Sequence, residues 1–272
     1  MYHLVAKGMP KTLLFHDHIE ALALWRCILN AAPGPVALFL MPTHVHGIYR
    51  QNAQVRLVTA MRAYARWRNA HRGEHGPVWV PAPEPVFLAD RQKRSRTERY
   101  VLLNGCRRGL HDDPLSWAWS THRDAVGLAV PAMRNREKDP ERYHAYVSAD
   151  RHVDPDGTEL PMAGQPLLPG ERGLIALRVS VSAVMRAPIP LFGSRGPPRT
   201  ALVHTAKALG SWSTREIADF TGLTLHAVRK VEAREDRLVR VVSRVAGDPR
   251  FPGLHTCDLR DEPRWALYRD HR

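Results

Sequence analysis

Val36-Ala37-Leu38-Phe39-Leu40-Met41-Pro42-Thr43-His44-Val45-His46-Gly47-Ile48-Tyr49 is the stretch whose reading decides the fold. Val36 to Leu40 and Val45 to Tyr49 are apolar runs of strand length on either side of a Met41-Pro42-Thr43-His44 step. Alternate residues of a strand share a face, so His44 and His46 would offer two imidazoles from one side of a sheet to one divalent cation. In a chain with 15 histidines the spacing alone does not separate that role from two histidines satisfying local hydrogen bonds. His16 and His18 share the spacing, but they lie where a helix begins, and residues two apart on a helix do not face each other.

Outward from this pair, strands and helices alternate. Tyr2 to Ala6 reads as a strand. Ile19 to Leu29 reads as a helix with Asp17 as its N-cap, stopped by Pro33-Gly34-Pro35. Between Val55 and Arg72, Leu57, Val58, Met61, Tyr64 and Ala65 make one helical face, and Arg56, Arg62, Arg66 and Arg72 lie largely off it, open to phosphate. The hairpin-length gaps predict an α+β fold, an antiparallel or mixed sheet with helices on one face, over residues 1–128.

Further along, a helix is expected from about Thr97, carrying Tyr100 and Asn104 four residues apart on one face. A nucleophilic hydroxyl and a ligating amide oxygen would then sit side by side, though a core tyrosine and a helix-ending asparagine before Gly105 fit the same spacing. Residues 91–110 carry Arg91, Lys93, Arg94, Arg96, Arg99, Arg107 and Arg108 against Glu98 alone, a one-signed density that favours phosphate contact.

Residues 129–199 are rich in proline and glycine, Pro188, Pro190, Pro197 and Pro198 among them, and read as a connector with one short helix over Asp139 to Ser148. From 200 to 247, Ala201–Leu209, Thr214–Phe220 and Leu225–Glu235 form three helical segments. The Gly222-Leu223-Thr224 break resembles the turn of a helix-turn-helix. His226, Arg229, Lys230 and Arg234 would then decorate a recognition helix, while Trp212 and Phe220 serve the core; a trihelical cap with ordinary surface charge is the alternative. Residues 248–272 read as a tail.

The 40 lysines and arginines against 27 acidic residues give a net charge of +13, which points to polyanions and above all to nucleic acid. The basic residues are spread along the chain, unlike an amphipathic membrane anchor, and no membrane partner is expected. Three cysteines without a C-x-x-C pair fit a reducing compartment. The most apolar stretch, Ala37 to Met41, is too short to span a bilayer, so a cytoplasmic protein is expected.

Three motifs in order give the chain a resemblance. Leu40-Met41-Pro42-Thr43-His44-Val45-His46 is similar to L-M-P-N-H-V-H of the REP-associated tyrosine transposases, single-tyrosine relatives of insertion-sequence transposases with an HUH metal motif. Arg99 to Leu110 is similar to their r-Y-I-h-L-N-P-V-R-A-G-L, and Pro114 to Arg123, through Trp119, Ser120 and Arg123, to their p-x-x-y-x-W-S-S-y-R. The match spans residues 2–128. It implies a ferredoxin-like palm, Mg²⁺ or Mn²⁺ held by His44, His46 and Asn104, and Tyr100 attacking a DNA phosphate, with single-stranded or hairpin DNA as partner and a homodimer as an open possibility. DNA contacts are expected from Arg62, Arg66, Arg94, Arg96, Arg99, Arg107, Arg108, Trp119 and Arg123. Thr43, Gly105-Cys106 and Trp79-Val80-Pro81-Ala82-Pro83 depart from the family's residues. A DNA-binding regulator with an idle metal site is the alternative, and an RNA-binding sheet is the weaker third, since no aromatic RNP pair is found.

Overall fold

The computed structural model describes residues 1–81, 84–129, 137–149, 169–185, 196–246 and 248–250. Ala82, Pro83, Pro188, Pro190, Tyr268 and the tail beyond Arg250 lie outside them. The chain divides into two compact units, one formed by residues up to Gly127 together with 137–149, the other by the described residues from 169 onward with Leu128 and Ala129.

In the first unit β1 (Tyr2–Lys7), α1 (His18–Ala31), β2 (Ala37–Leu40), β3 (His44–Tyr49), α2 (Gln54–Arg72) and β4 (Val86–Phe87) follow one another. The strands form one antiparallel sheet in the order β2-β3-β1-β4, the βαββαβ topology of ferredoxin-like folds. The protein is α+β. Leu4, Ala6, Leu38, Leu40 and Val45 fill one face of the sheet and are buried. The other face carries His3, Phe39, His44 and His46, which the register sets close together: Val5 lies opposite His46, His3 opposite Ile48, and Phe39 opposite His46.

Asp17 caps α1 as expected, its carboxylate accepting from the Glu20 N–H at 2.8 Å. Arg72 is not open to phosphate. Its guanidinium forks onto the buried Glu20 carboxylate, with Nη2 to Oε2 at 3.0 Å, and so joins α2 to α1. Burial raises the Glu20 pKa, but hydrogen bonds from His16 and Arg72 outweigh it and hold the carboxyl at about 2. The free edge of β2 is closed by the chain after a 3-10 turn at Pro114–Ser116: Leu40 N–H donates to Trp119 O at 2.9 Å and Thr121 N–H to Leu38 O at 3.0 Å.

That closure corrects two expectations. Trp119 and Arg123 are both 0 % exposed. Trp119 packs by Trp25 and His18, and the Arg123 guanidinium donates to Leu115 O at 2.6 Å, so neither can face DNA.

The helices that complete this unit are α3 (Arg91–Leu102), α4 (Asn104–Arg107), α5 (His122–Val126) and α6 (Pro140–Ser148). The second unit holds α7 (Gly170–Met185), α8 (Pro197–Leu209), α9 (Thr214–Thr221), α10 (Leu225–Lys230) and α11 (Arg237–Ala246) around a core that includes Leu174, Leu177, Val181, Leu202, Ile217, Val228 and Val242. The stretch read as connector therefore contributes α7 to a core. The segment expected as one helix over Leu225–Glu235 ends at Lys230, where the Lys207 ammonium takes the carbonyls of Val228, Arg229 and Val231. No helix among the described residues is long and apolar enough to cross a membrane.

Candidate active site

Strand alternation puts His44 and His46 on one face of β3, and the antiparallel partner β1 adds His3 to it. A helix crossing that face brings the remaining groups. Asp90 starts α3 by accepting from the Lys93 N–H at 2.7 Å, six residues before the expected start, and α3 runs to Leu102. The helix is not continuous through Asn104: Leu103, at φ −93° and ψ 6°, separates α3 from α4, and Asn104 opens α4. Tyr100 and Asn104 still converge on His46.

His46 is the centre of the arrangement. An Asn104 amide atom lies 2.9 Å from its Nε2, the Tyr100 ring stands edge-on with centroids 5.7 Å apart, and the His44 ring is perpendicular at 4.8 Å. Its Nδ1 lies 3.1 Å from His3 Nε2. The Thr43 hydroxyl sits 2.9 Å from His44 Nδ1, which gives the unexpected threonine a role in orienting that ring. His46 is 4 % exposed, and burial, followed by the nearby His44, His3 and Lys7, lowers its pKa to about 3. The imidazole is therefore neutral at physiological pH, with a lone pair to offer.

These residues fit a divalent cation. Adjacent ligand atoms in a six-coordinate shell of radius about 2.1 Å lie about 3 Å apart, and the 2.9 Å between Asn104 and His46 matches that edge. An amide rotation presents either its oxygen or its nitrogen, so Asn104 can turn its oxygen toward a cation. Two imidazoles and an amide are all neutral, so a bound ion would keep its full charge, and a mixed N/O set suits Mn²⁺ as well as Mg²⁺. Among the described residues no three His, Cys, Asp or Glu side chains gather as a metal site.

Tyr100 is 43 % exposed, and the Arg107 guanidinium lies over its ring at 5.2 Å from the centroid. Tyr49 and Tyr64 are buried, which drives their pKa values up; Tyr143 donates to Glu98 at 2.7 Å and Tyr146 to Ser95 O at 3.0 Å. Of the basic residues around Tyr100, Arg96, Arg107 and Arg108 are exposed, as are Arg62 and Arg66 on α2. Arg94 and Arg99 are half-buried and each spends part of its guanidinium on the fold: Arg94 donates to Leu88 O and Ala89 O at 3.0 and 2.8 Å, and Arg99 to Val147 O at 3.1 Å.

No family model matches the chain, and no curated protein matches it. A solved structure of a REP-associated tyrosine transposase bound to a REP hairpin is similar to it, with a TM-score of 0.36 and 15 % identity over 45 % of this chain and 77 % of that one.

Two parts of the site escaped sequence reading. His3 could have been noticed as a histidine on a strand, but its register against His46 is a tertiary fact. The other is the packing of α6: the helix itself is expected over Asp139 to Ser148 and runs from Pro140 to Ser148, but its contact with α3 is not foreseen. Helix α6 straps α3 through Tyr143 to Glu98, Tyr146 to Ser95 and Val147 to Arg99, so that three positions within the five residues before Tyr100 are held. In the second unit the Ser213–Glu216 capping box starts α9, Gly222 at φ 63° ends it, and Thr224 caps α10. His226, Arg229 and Lys230 are exposed on α10, whereas Arg234 lies beyond that helix.

Proposed function

We propose that this protein cleaves and rejoins single-stranded, hairpin-forming DNA through a covalent bond between Tyr100 and a 5′ phosphate, with Mg²⁺ or Mn²⁺ held by His44, His46 and Asn104. The observation that carries this reading is the convergence on one sheet face of two imidazoles, an amide and an exposed phenol covered by a guanidinium. When bound, the cation supplies positive charge against the phosphate oxygens.

The chain's own residues do the rest. A bond forms from the Tyr100 hydroxyl oxygen to phosphorus as the bond from phosphorus to the 3′ oxygen breaks. The phenol's proton passes to solvent, and the 3′ oxygen leaves with a proton from solvent. The Tyr100 hydroxyl is open to a phosphate, and the Arg107 guanidinium over its ring places positive charge beside the attacking group. Rejoining reverses these changes with another 3′ hydroxyl, and because one phosphodiester replaces another, no nucleotide hydrolysis is needed. Arg62, Arg66, Arg96 and Arg108 offer the surface charge for the DNA backbone. The α9–α10 pair is read as a helix-turn-helix that grips a duplex stem through His226, Arg229 and Lys230.

Substituting the ligands tests this. His44→Ala and His46→Ala are expected to abolish cleavage of a hairpin substrate in Mg²⁺ or Mn²⁺ while keeping the wild-type circular dichroism spectrum. Cleavage at the wild-type rate by either folded variant rules the metal assignment out.

A further inference from the structure

We propose that His3 is a positioning residue that decides which nitrogen of His46 carries the proton, and thereby presents the other nitrogen to the cation. The inference rests on the metal reading above. A neutral imidazole has one ring proton and one lone pair. For His46 to ligate through Nε2, on the side shared with Asn104, its proton must sit on Nδ1, and that N–H needs an acceptor inside a buried site. His3 Nε2 lies 3.1 Å from it.

The geometry suits this use. The two ring planes are within 11° of parallel, and the nitrogens are far closer than the centroids at 5.3 Å, so the rings meet edge to edge and the N–H points along a lone pair. Neighbouring strands fix the pair: Val5 is directly opposite His46, and His3 is its diagonal neighbour on the same face. His3 does not read as a fourth ligand, because its Nε2 approaches Nδ1 of His46 while Asn104 approaches Nε2. Outer partners of this kind lock tautomer and ring orientation, and their loss typically weakens metal affinity about 10- to 100-fold.

The test is Mn²⁺ titration of the full chain by calorimetry, for wild type, His3→Ala, His3→Gln and His3→Lys, with His44→Ala as control. Nitrogen-15 NMR of the His46 ring in the metal-free protein is read alongside. Expected are a loss of Mn²⁺ affinity of about 10-fold or more in His3→Ala, recovery in His3→Gln, whose amide oxygen can accept from Nδ1–H, and none in His3→Lys, which can only donate. In metal-free wild type the His46 proton is expected on Nδ1. Unchanged affinity in His3→Ala overturns the inference and leaves the metal site standing. Equal binding by wild type and His44→Ala removes the metal reading instead, and the ring proton, read in wild type and in His3→Ala, then decides alone: a proton that leaves Nδ1 when His3 is removed supports the role of His3, and one that stays where it was overturns it.

Discussion

Gly105 follows Asn104 in the first turn of α4, and its lack of a side chain has a cause. A Cβ built there would lie 2.2 Å from Nε2 of His111, a ring stacked on Trp117 and hydrogen-bonded at Nδ1 to the Cys106 thiol. Burial holds the thiol up at about 12 and the His111 imidazole down at about 4, so the pair is a neutral hydrogen bond. Gly105→Ala should therefore destabilise the first unit by about 1–3 kcal/mol, read as a lower urea midpoint; an unchanged midpoint means that His111 moves aside freely. Glu20 gives a pH prediction. Its folded pKa of about 2 lies below its ordinary value of 4.5, so its contribution is complete above the ordinary value and disappears as pH falls through about 2. Glu20→Gln should be less stable than wild type at neutral pH, and the gap should close in acid. A gap that stays constant from pH 6 to pH 2 contradicts the ion pair with Arg72.

Helix α3 shows what sequence periodicity can and cannot reach. Of its residues only Val101 and Leu102 are buried, so no apolar stripe announces its first turns; the Asp90 cap was the one local signal. In α7 the signal was present, Leu174, Leu177 and Val181 at helical spacing, but the prolines and glycines on either side obscured it. The strands and the two histidines were readable because a period of two and a turn are local. Trp119 and Arg123 were matched as residues but assigned the wrong surroundings, since the closure of the β2 edge that buries them brings together segments some 80 residues apart. The strap of α6 is likewise tertiary, and it predicts a dependence. A chain ended at residue 128 should show faster amide exchange in α3 than the full chain, with β1 and β3 still protected. Equal protection of α3 in both would show that α6 is dispensable for holding Tyr100.

At the scale of the whole molecule, the net charge of +13 means that the proposed binding of DNA would be driven largely by released counterions. Replacing Arg62 or Arg66 by alanine should lower the salt slope of single-strand binding by about 0.7 each and leave the saturated cleavage rate unchanged. Arg229→Ala with Lys230→Ala should weaken binding to a duplex stem while sparing the chemistry, because those side chains sit on α10 and the converging groups sit on β3, α3 and α4. The central claim, that Tyr100 is the nucleophile, is tested most directly by trapping the covalent species. Wild type and Tyr100→Phe are incubated with labelled single-stranded hairpin DNA and Mg²⁺ or Mn²⁺, then run on a denaturing gel. The account predicts a protein–DNA adduct from wild type and none from Tyr100→Phe, which should still bind the hairpin with near wild-type affinity. An adduct from Tyr100→Phe, or none from wild type with a range of hairpins and both metals, contradicts it and leaves a DNA-binding protein without strand chemistry.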